Sequence, residues 1–172
     1  MQTNTNYKYV FNHLQRNKLI YEYQSGFLPK YSTIHQLLEM YNCILNSLEK
    51  KEISCFVFCD FSKAFDKVWH KGLLHKSYDV DSNLLSWFSS YLQDRQQRVV
   101  INNSSSSLCN VSAGVPQGSV LGPLLFILYI NDIAENLISL SRLFADDTSF
   151  SYSSRDELQI QIVIDHDLKE LD

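Results

Sequence analysis

The chain has 172 residues, 45% of them hydrophobic and 13% aromatic, enough to bury one core as a single globular unit. Its 15 basic and 19 acidic residues give a net charge of −4, which excludes a basic track running the length of the molecule and leaves only local patches for contact with nucleic acid. Met1 to Tyr9 is polar and lacks the order of a secretory leader, and Cys43, Cys55, Cys59 and Cys109 have neither zinc spacing nor a disulfide pattern, so a reducing, intracellular setting is expected.

The first periodic segment is His35 to Lys51, where Leu37, Leu38, Tyr41, Ile44, Leu45 and Leu48 form the stripe of an amphipathic helix. Ile53 to Cys59 is β-branched and aromatic, a buried strand, with Cys55 and Cys59 on one face as buried free thiols. Leu84 to Leu92 reads as a helix offering Trp87, Phe88 and Tyr91 to a core. Gln97 to Ile101 and Leu108 to Ser112 are short strands around the polar loop Asn102 to Ser107. Leu124 to Ile130 is apolar all round, which suits a fully buried helix; it is too short to cross a bilayer and is closed by Asn131-Asp132. Arg142 to Tyr152 reads as a hairpin turning at two aspartates, and Ser154-Arg-Asp-Glu157 as a capping box opening a helix to about Leu171. The order predicts an α+β fold, with an antiparallel sheet and helices on one face.

Three stations carry possible chemistry. Asp60 ends the strand Ile53 to Cys59, and Asp146 and Asp147 end the run Leu143-Phe144-Ala145. Neighbouring strands lie about 4.8 Å apart, so if these two pair, Asp60 and Asp146 converge and their like charges repel unless a cation sits between them. Magnesium, a hard cation, suits such a site. The competing reading is ordinary turn chemistry, because aspartate tolerates turns well; against it, the flanks offer no Gly or Asn for the usual tight types. The third station, Gly114 to Pro123, holds three of the five glycines and two of the three prolines. Such a loop either cradles a ligand or rigidly connects to the buried helix.

In chain order the stretches are Gln24-Ser-Gly-Phe-Leu-Pro-Lys-Tyr-Ser32-Thr33, Phe58-Cys-Asp60-Phe-Ser-Lys-Ala-Phe65-Asp66-Lys-Val-Trp-His70, Trp87 to Val99, Ala113-Gly-Val-Pro-Gln117-Gly-Ser-Val-Leu-Gly-Pro-Leu-Leu-Phe126 and Phe144-Ala-Asp146-Asp147. Together they resemble the reverse transcriptase domain of non-LTR retrotransposons, the jockey and CR1-like elements, from about Gln24 to Tyr152. The resemblance implies a polymerase palm over residues 53–172, a partial fingers segment over residues 1–52 and no thumb. It implies RNA-templated addition of deoxynucleotides to a primer 3′-hydroxyl. Asp60, Asp146 and Asp147 would be catalytic and, with the backbone carbonyl of Phe61, would hold two magnesium ions, for which manganese could substitute. Phe65 would lie against the sugar of the incoming nucleotide and leave no room for a 2′-hydroxyl; Gln117 and Gly118 would lie beside that nucleotide. Lys63, Lys67, Arg95 and Arg98 would meet template and primer phosphates. The implied partners are an RNA template, a DNA primer and deoxynucleoside triphosphates, with no membrane, in the nucleus and cytoplasm.

The chain departs from the family pattern at Leu28, which stands where an arginine is common, and at His75 to Asn83, about two residues short with Asp79 in place of a glycine. Two other classes compete with an active polymerase. One is a remnant that keeps the fold and weak nucleic-acid binding without turnover. The other is a metal-dependent phosphatase or nuclease on the same aspartates, which leaves Phe65 and Gln117 without roles. His13, His35 and His166 read as surface residues.

Overall fold

A computed structural model describes residues 2–76 and 80–171. Asp79 and its two preceding residues, the centre of the shortened segment, lie outside the described residues. In chain order the elements are α1 (Gln2–Arg16), α2 (Thr33–Glu49), β1 (Ile53–Asp60), a 3-10 turn (Ala64–Lys67), α3 (His70–His75), α4 (Ser82–Leu92), β2 (Gln96–Gln97), β3 (Val100–Ile101), β4 (Ser104–Ser105), β5 (Cys109–Asn110), α5 (Gly122–Ile130), β6 (Leu140–Phe144), β7 (Asp147–Ser154) and α6 (Glu157–Glu170). They form two compact units, one of the described residues up to Leu19 with Lys63–Tyr129, the other of Ile20–Ser62 with Ile130 onward.

The second unit is built on an antiparallel sheet of order β1-β7-β6. Residues alternate between the faces of a strand, and β7 uses the two sides differently. Phe150 packs with Ile160 and Ile164 of α6, with Val57, Tyr152, Cys55 and Cys59 around them. On the opposite face Ser151 meets Cys43 of α2, Sγ to Oγ at 4.0 Å, and Ser47 Oγ donates to Ser153 Oγ at 2.9 Å. Helices thus cover both faces, not one as expected, because β7 alternates aromatic with serine and each face finds its own kind of partner. The same alternation corrects the reading of α2: its apolar stripe is turned away, with Leu37, Leu38, Tyr41 and Leu48 exposed and Ser47 buried. Cys55 and Cys59 are free but only partly buried. Burial raises the Cys59 thiol pKa above its ordinary value.

α6 begins at Glu157, so its cap is Asp156, whose side chain accepts from Leu158 N at 3.0 Å. Ser154, expected to cap it, instead accepts from Asp156 N and donates to Gln159 Oε1. Toward the other end of α6, the buried Asp167 carboxylate takes the backbone N–H groups of Ile138 and Ser139, each at 2.9 Å, and contacts His166 Nδ1 at 3.0 Å. His166 is therefore a partner of a buried acid and not simply a surface residue.

In the first unit α5 is buried, Leu124 through Leu128 all being nearly inaccessible, as its unbroken apolar run predicts. α1 went unread in the sequence although Tyr7, Val10, Phe11 and Leu14 have the spacing of a helical face; Val10, Phe11 and Leu14 are buried. The expected strands after Arg95 split into two ladders, β2–β5 and β3–β4. Asn102 and Asn103 both take positive φ, +47° and +63°, making a tight hairpin turn, and Ser104-Ser105 becomes the returning strand. Asparagine enters that region at low cost.

Candidate active site

The β1–β7 ladder runs from Ile53↔Ser154 to Asp60↔Asp147. Directly opposed residues share a face with Cβ atoms about 5 Å apart. Register therefore brings Asp60 beside Asp147, and not beside Asp146 as expected, at the end of the sheet, both exposed, because Asp146 falls in the turn and Asp147 is already in the strand. Phe61 follows, partly buried, at the point where the strand stops.

β6 and β7 close through Phe144↔Asp147, so their connection is the two-residue loop Ala145-Asp146. The hairpin turns at only the first of its two aspartates, and Asp147 already belongs to the strand. Such loops favour glycine at positive φ, yet Ala145 adopts φ +59°. Its neighbours explain how it is kept there. Ser25 N donates to Leu143 O at 2.8 Å and Leu143 N to Tyr23 O at 3.0 Å, so the segment around Gln24 runs parallel beside β6. Gln24 Oε1 accepts from both Gly26 N at 2.8 Å and Ala145 N at 3.2 Å. A Cβ on Gly26 would stand 2.0 Å from Ala145 N, so only glycine fits there. The sequence reading gave Gln24 and Gly26 no role; the available signal was a glutamine two residues before a glycine in an otherwise aromatic stretch.

A cavity of about 360 Å³ adjoins this sheet end. It is lined by Leu37, Met40 and Phe58 and bordered by Asp60 and Asp147. Asp60, Asp146 and Asp147 supply carboxylate oxygens, the donors that magnesium takes. Among the described residues no group of three or more His, Cys, Asp or Glu is gathered closely enough to hold an ion alone. The donors fit magnesium in kind, Asp60 and Asp147 being opposed across the ladder with Asp146 in the adjoining turn.

The other expected residues belong to the first unit. Phe65 stacks on the buried Phe126, ring centroids 4.2 Å apart, so its ring is a core contact in this state. Gln117 Nε2 donates to Asp66 Oδ1 at 2.9 Å. The Gly114 loop is tied to the 3-10 turn region, Val115 N donating to Phe65 O and Gly114 N to Val68 O. Its φ is +89° and an added Cβ would stand 2.8 Å from Asp66 O, so this glycine serves a close approach within the chain. Gly118, at φ +74°, faces open space. Arg95 joins Asp66 and Gln117 around a second cavity of about 280 Å³ and lies over the Tyr91 ring, 5.5 Å from its centroid. Lys63, Lys67 and Arg98 are exposed.

Residues 3–170 match the family of reverse transcriptases (RNA-dependent DNA polymerases). The probable RNA-directed DNA polymerase from transposon X-element of Drosophila melanogaster is 41% identical over 142 residues, covering 79% of this chain and 16% of that protein. The corresponding protein from transposon BS of the same species is 35% identical over 82% of this chain and 17% of its own length. The RNA-directed DNA polymerase from mobile element jockey is 38% identical over 67% of this chain and 13% of its own. The chain therefore spans between 13% and 17% of these relatives. A solved structure of apo telomerase from Candida tropicalis, truncated from its C-terminal domain, has a TM-score of 0.63 at 15% identity. It covers 98% of this chain and 36% of that one, a likeness of fold. No helix among the described residues is long and apolar enough to cross a membrane. With residues 3–170 matched and an antiparallel sheet packed by helices, the chain belongs to the reverse transcriptases, as a domain homologous to the polymerases of non-LTR retrotransposons.

Proposed function

We propose that this chain carries the palm of an RNA-directed DNA polymerase, residues 53–172, behind a piece of the fingers, residues 1–52, and that the 172-residue chain by itself retains the fold and weak affinity for metal and nucleic acid without turning over nucleotides. The observation that carries the reading is the register Asp60↔Asp147, with Asp146 in the adjoining turn. In this reading Asp60, Asp146, Asp147 and the Phe61 carbonyl hold magnesium, or manganese in its place, and those ions when bound lower the cost of charge on the attacking and leaving oxygens of phosphoryl transfer. RNA template, DNA primer and deoxynucleoside triphosphates are the proposed partners, inside the cell, with Lys63, Lys67, Arg95 and Arg98 as phosphate contacts.

The absence of turnover is supported by the state of the nucleotide-binding candidates. Phe65 is committed to Phe126 and Gln117 to Asp66, so neither ring nor amide is offered to a sugar or base until those contacts change. Gly118 alone of these borders open space.

Manganese titrated into the chain and into its Asp60→Asn, Asp146→Asn variant, beside a primer-extension assay, tests both halves. The expected result is weak binding to the parent, loss of binding in the variant and no extension by either. Chelator-sensitive extension by the chain alone would overturn the proposed lack of turnover, equal binding by the two proteins would overturn the metal role, and strand cleavage without nucleotides would point to a nuclease.

A further inference from the structure

The turn that carries Asp146 is costly to keep in place. A non-glycine residue in the left-handed region loses about 1–2 kcal/mol, and Ala145 at φ +59° has no glycine to spare it that loss. Something must over-determine the turn for such a conformation to persist. The Gln24 side chain meets the requirement. It is only 1% exposed and its oxygen is shared by Gly26 N at 2.8 Å and Ala145 N at 3.2 Å. Both neighbours are N–H donors, so the oxygen and not the nitrogen must face them. Nε2 is left buried without a partner among the described residues. A buried unpaired donor is expensive, and methionine would fill similar space without it; what glutamine adds is the acceptor. Gly26 completes the device by letting the two backbones approach, since any Cβ would strike Ala145 N.

We propose that Gln24 is a positioning residue for the acidic turn: its side-chain oxygen fixes the backbone at Ala145 and thereby sets where the Asp146 carboxylate points. The inference rests on the reading of Asp146 as a metal carrier, and it adds a residue more than a hundred positions away in sequence to the site.

The test is residue-resolved amide exchange on the labelled full chain, with manganese titration beside it. In the parent, the Gly26 and Ala145 amides exchange slowly although neither lies in a helix or strand; open-loop rates there, with Phe150 still protected, overturn the proposal. In Gln24→Met both amides exchange about tenfold faster or more, the effect of losing one buried hydrogen bond. Phe150 stays unchanged and manganese affinity falls about tenfold. Equal acceleration at Phe150 and Ala145 would make Gln24 a general core residue and overturn it. Should Gln24→Met not fold, Gln24→Glu decides: it keeps the acceptor, so retained protection at Ala145 supports the assignment and lost protection overturns it. A parent chain that binds no manganese sinks the metal role of the aspartates, while the exchange rates still decide whether Gln24 holds the turn.

Discussion

The two faces of the β1-β7-β6 sheet are covered by different physics. Toward α6, Phe150 is 1% exposed and packs on Ile160 and Ile164, a contact whose strength scales with apolar area removed from water. Toward α2 the strand presents Ser151 and Ser153, and the helix answers with Cys43 and Ser47. Ser47 Oγ lies 2.9 Å from both Cys43 O and Ser153 Oγ, and Ser54 Oγ pairs with Ser153 Oγ at 2.9 Å. Hydrogen bonds formed on folding replace bonds to water and so contribute little net, about 0.5–1.5 kcal/mol each. α6 is thus part of what makes the sheet stable, whereas α2 meets it through small polar groups and the Glu39–Arg142 ion pair, Nε to Oε2 at 3.3 Å.

If that division is right, Phe150→Ala causes the largest loss, about 3–5 kcal/mol, because it removes a large buried ring and leaves a cavity under α6. Urea unfolding followed by circular dichroism reads it directly; a cost below about 1.5 kcal/mol would mean that the apolar face is not the dominant one. Next comes Asp167, the polar anchor of α6. Burial works to raise its pKa, but hydrogen bonds from Ser139, the Ile138 amide and His166 outweigh burial and hold it below the ordinary 3.8. The folded state then binds fewer protons than the unfolded one. Its contribution is complete above the unfolded value and is lost as pH falls through the folded one. Asp167→Asn should cost about 1–3 kcal/mol at neutral pH and flatten the loss of stability below pH 3.8. Unfolding curves from neutral to acid pH check both, and an acid limb unchanged in the variant would remove Asp167 from the account.

The sequence showed the strands and the closing helix clearly because period-2 and period-3.6 patterns report which residues are apolar. The strand Ile53 to Cys59, the hairpin and α5 are legible in this way, and so are the carboxylates at the sheet end. What was not legible depends on pairing. The stripe Leu37, Leu38, Tyr41, Leu45 and Leu48 looks like a packing face, yet α2 meets the sheet by Glu39, Cys43 and Ser47. Only knowledge that β7 would turn serines toward it could have reversed the reading. Gln24 and Asp167 were missed for a related reason: each satisfies backbone N–H groups distant in sequence, and such partners leave no periodic trace. Of the site residues, strand ends could be read from local sequence, but the opposition of Asp60 and Asp147, with Asp146 in the turn, is a matter of register.

The smallest effects are expected from two substitutions on α2. Ser47→Ala removes the hydroxyl that contacts Cys43 O and Ser153 Oγ, and its cost should be about 0.5–1.5 kcal/mol. Ser153 keeps its contact with Ser54, which limits the loss. Leu38→Gln should change least. Its side chain is 57% exposed, so glutamine removes little buried apolar area, and helix propensity is nearly equal between the two residues. The expected change is within about 0.5 kcal/mol, as for surface positions without special contacts. The pair therefore ranks the helix by its faces: the serine should outweigh the leucine, the reverse of what the stripe alone would say. If Leu38→Gln instead costs more than Ser47→Ala in the same urea titration, the stripe is covered in solution and α2 is held by its apolar face after all.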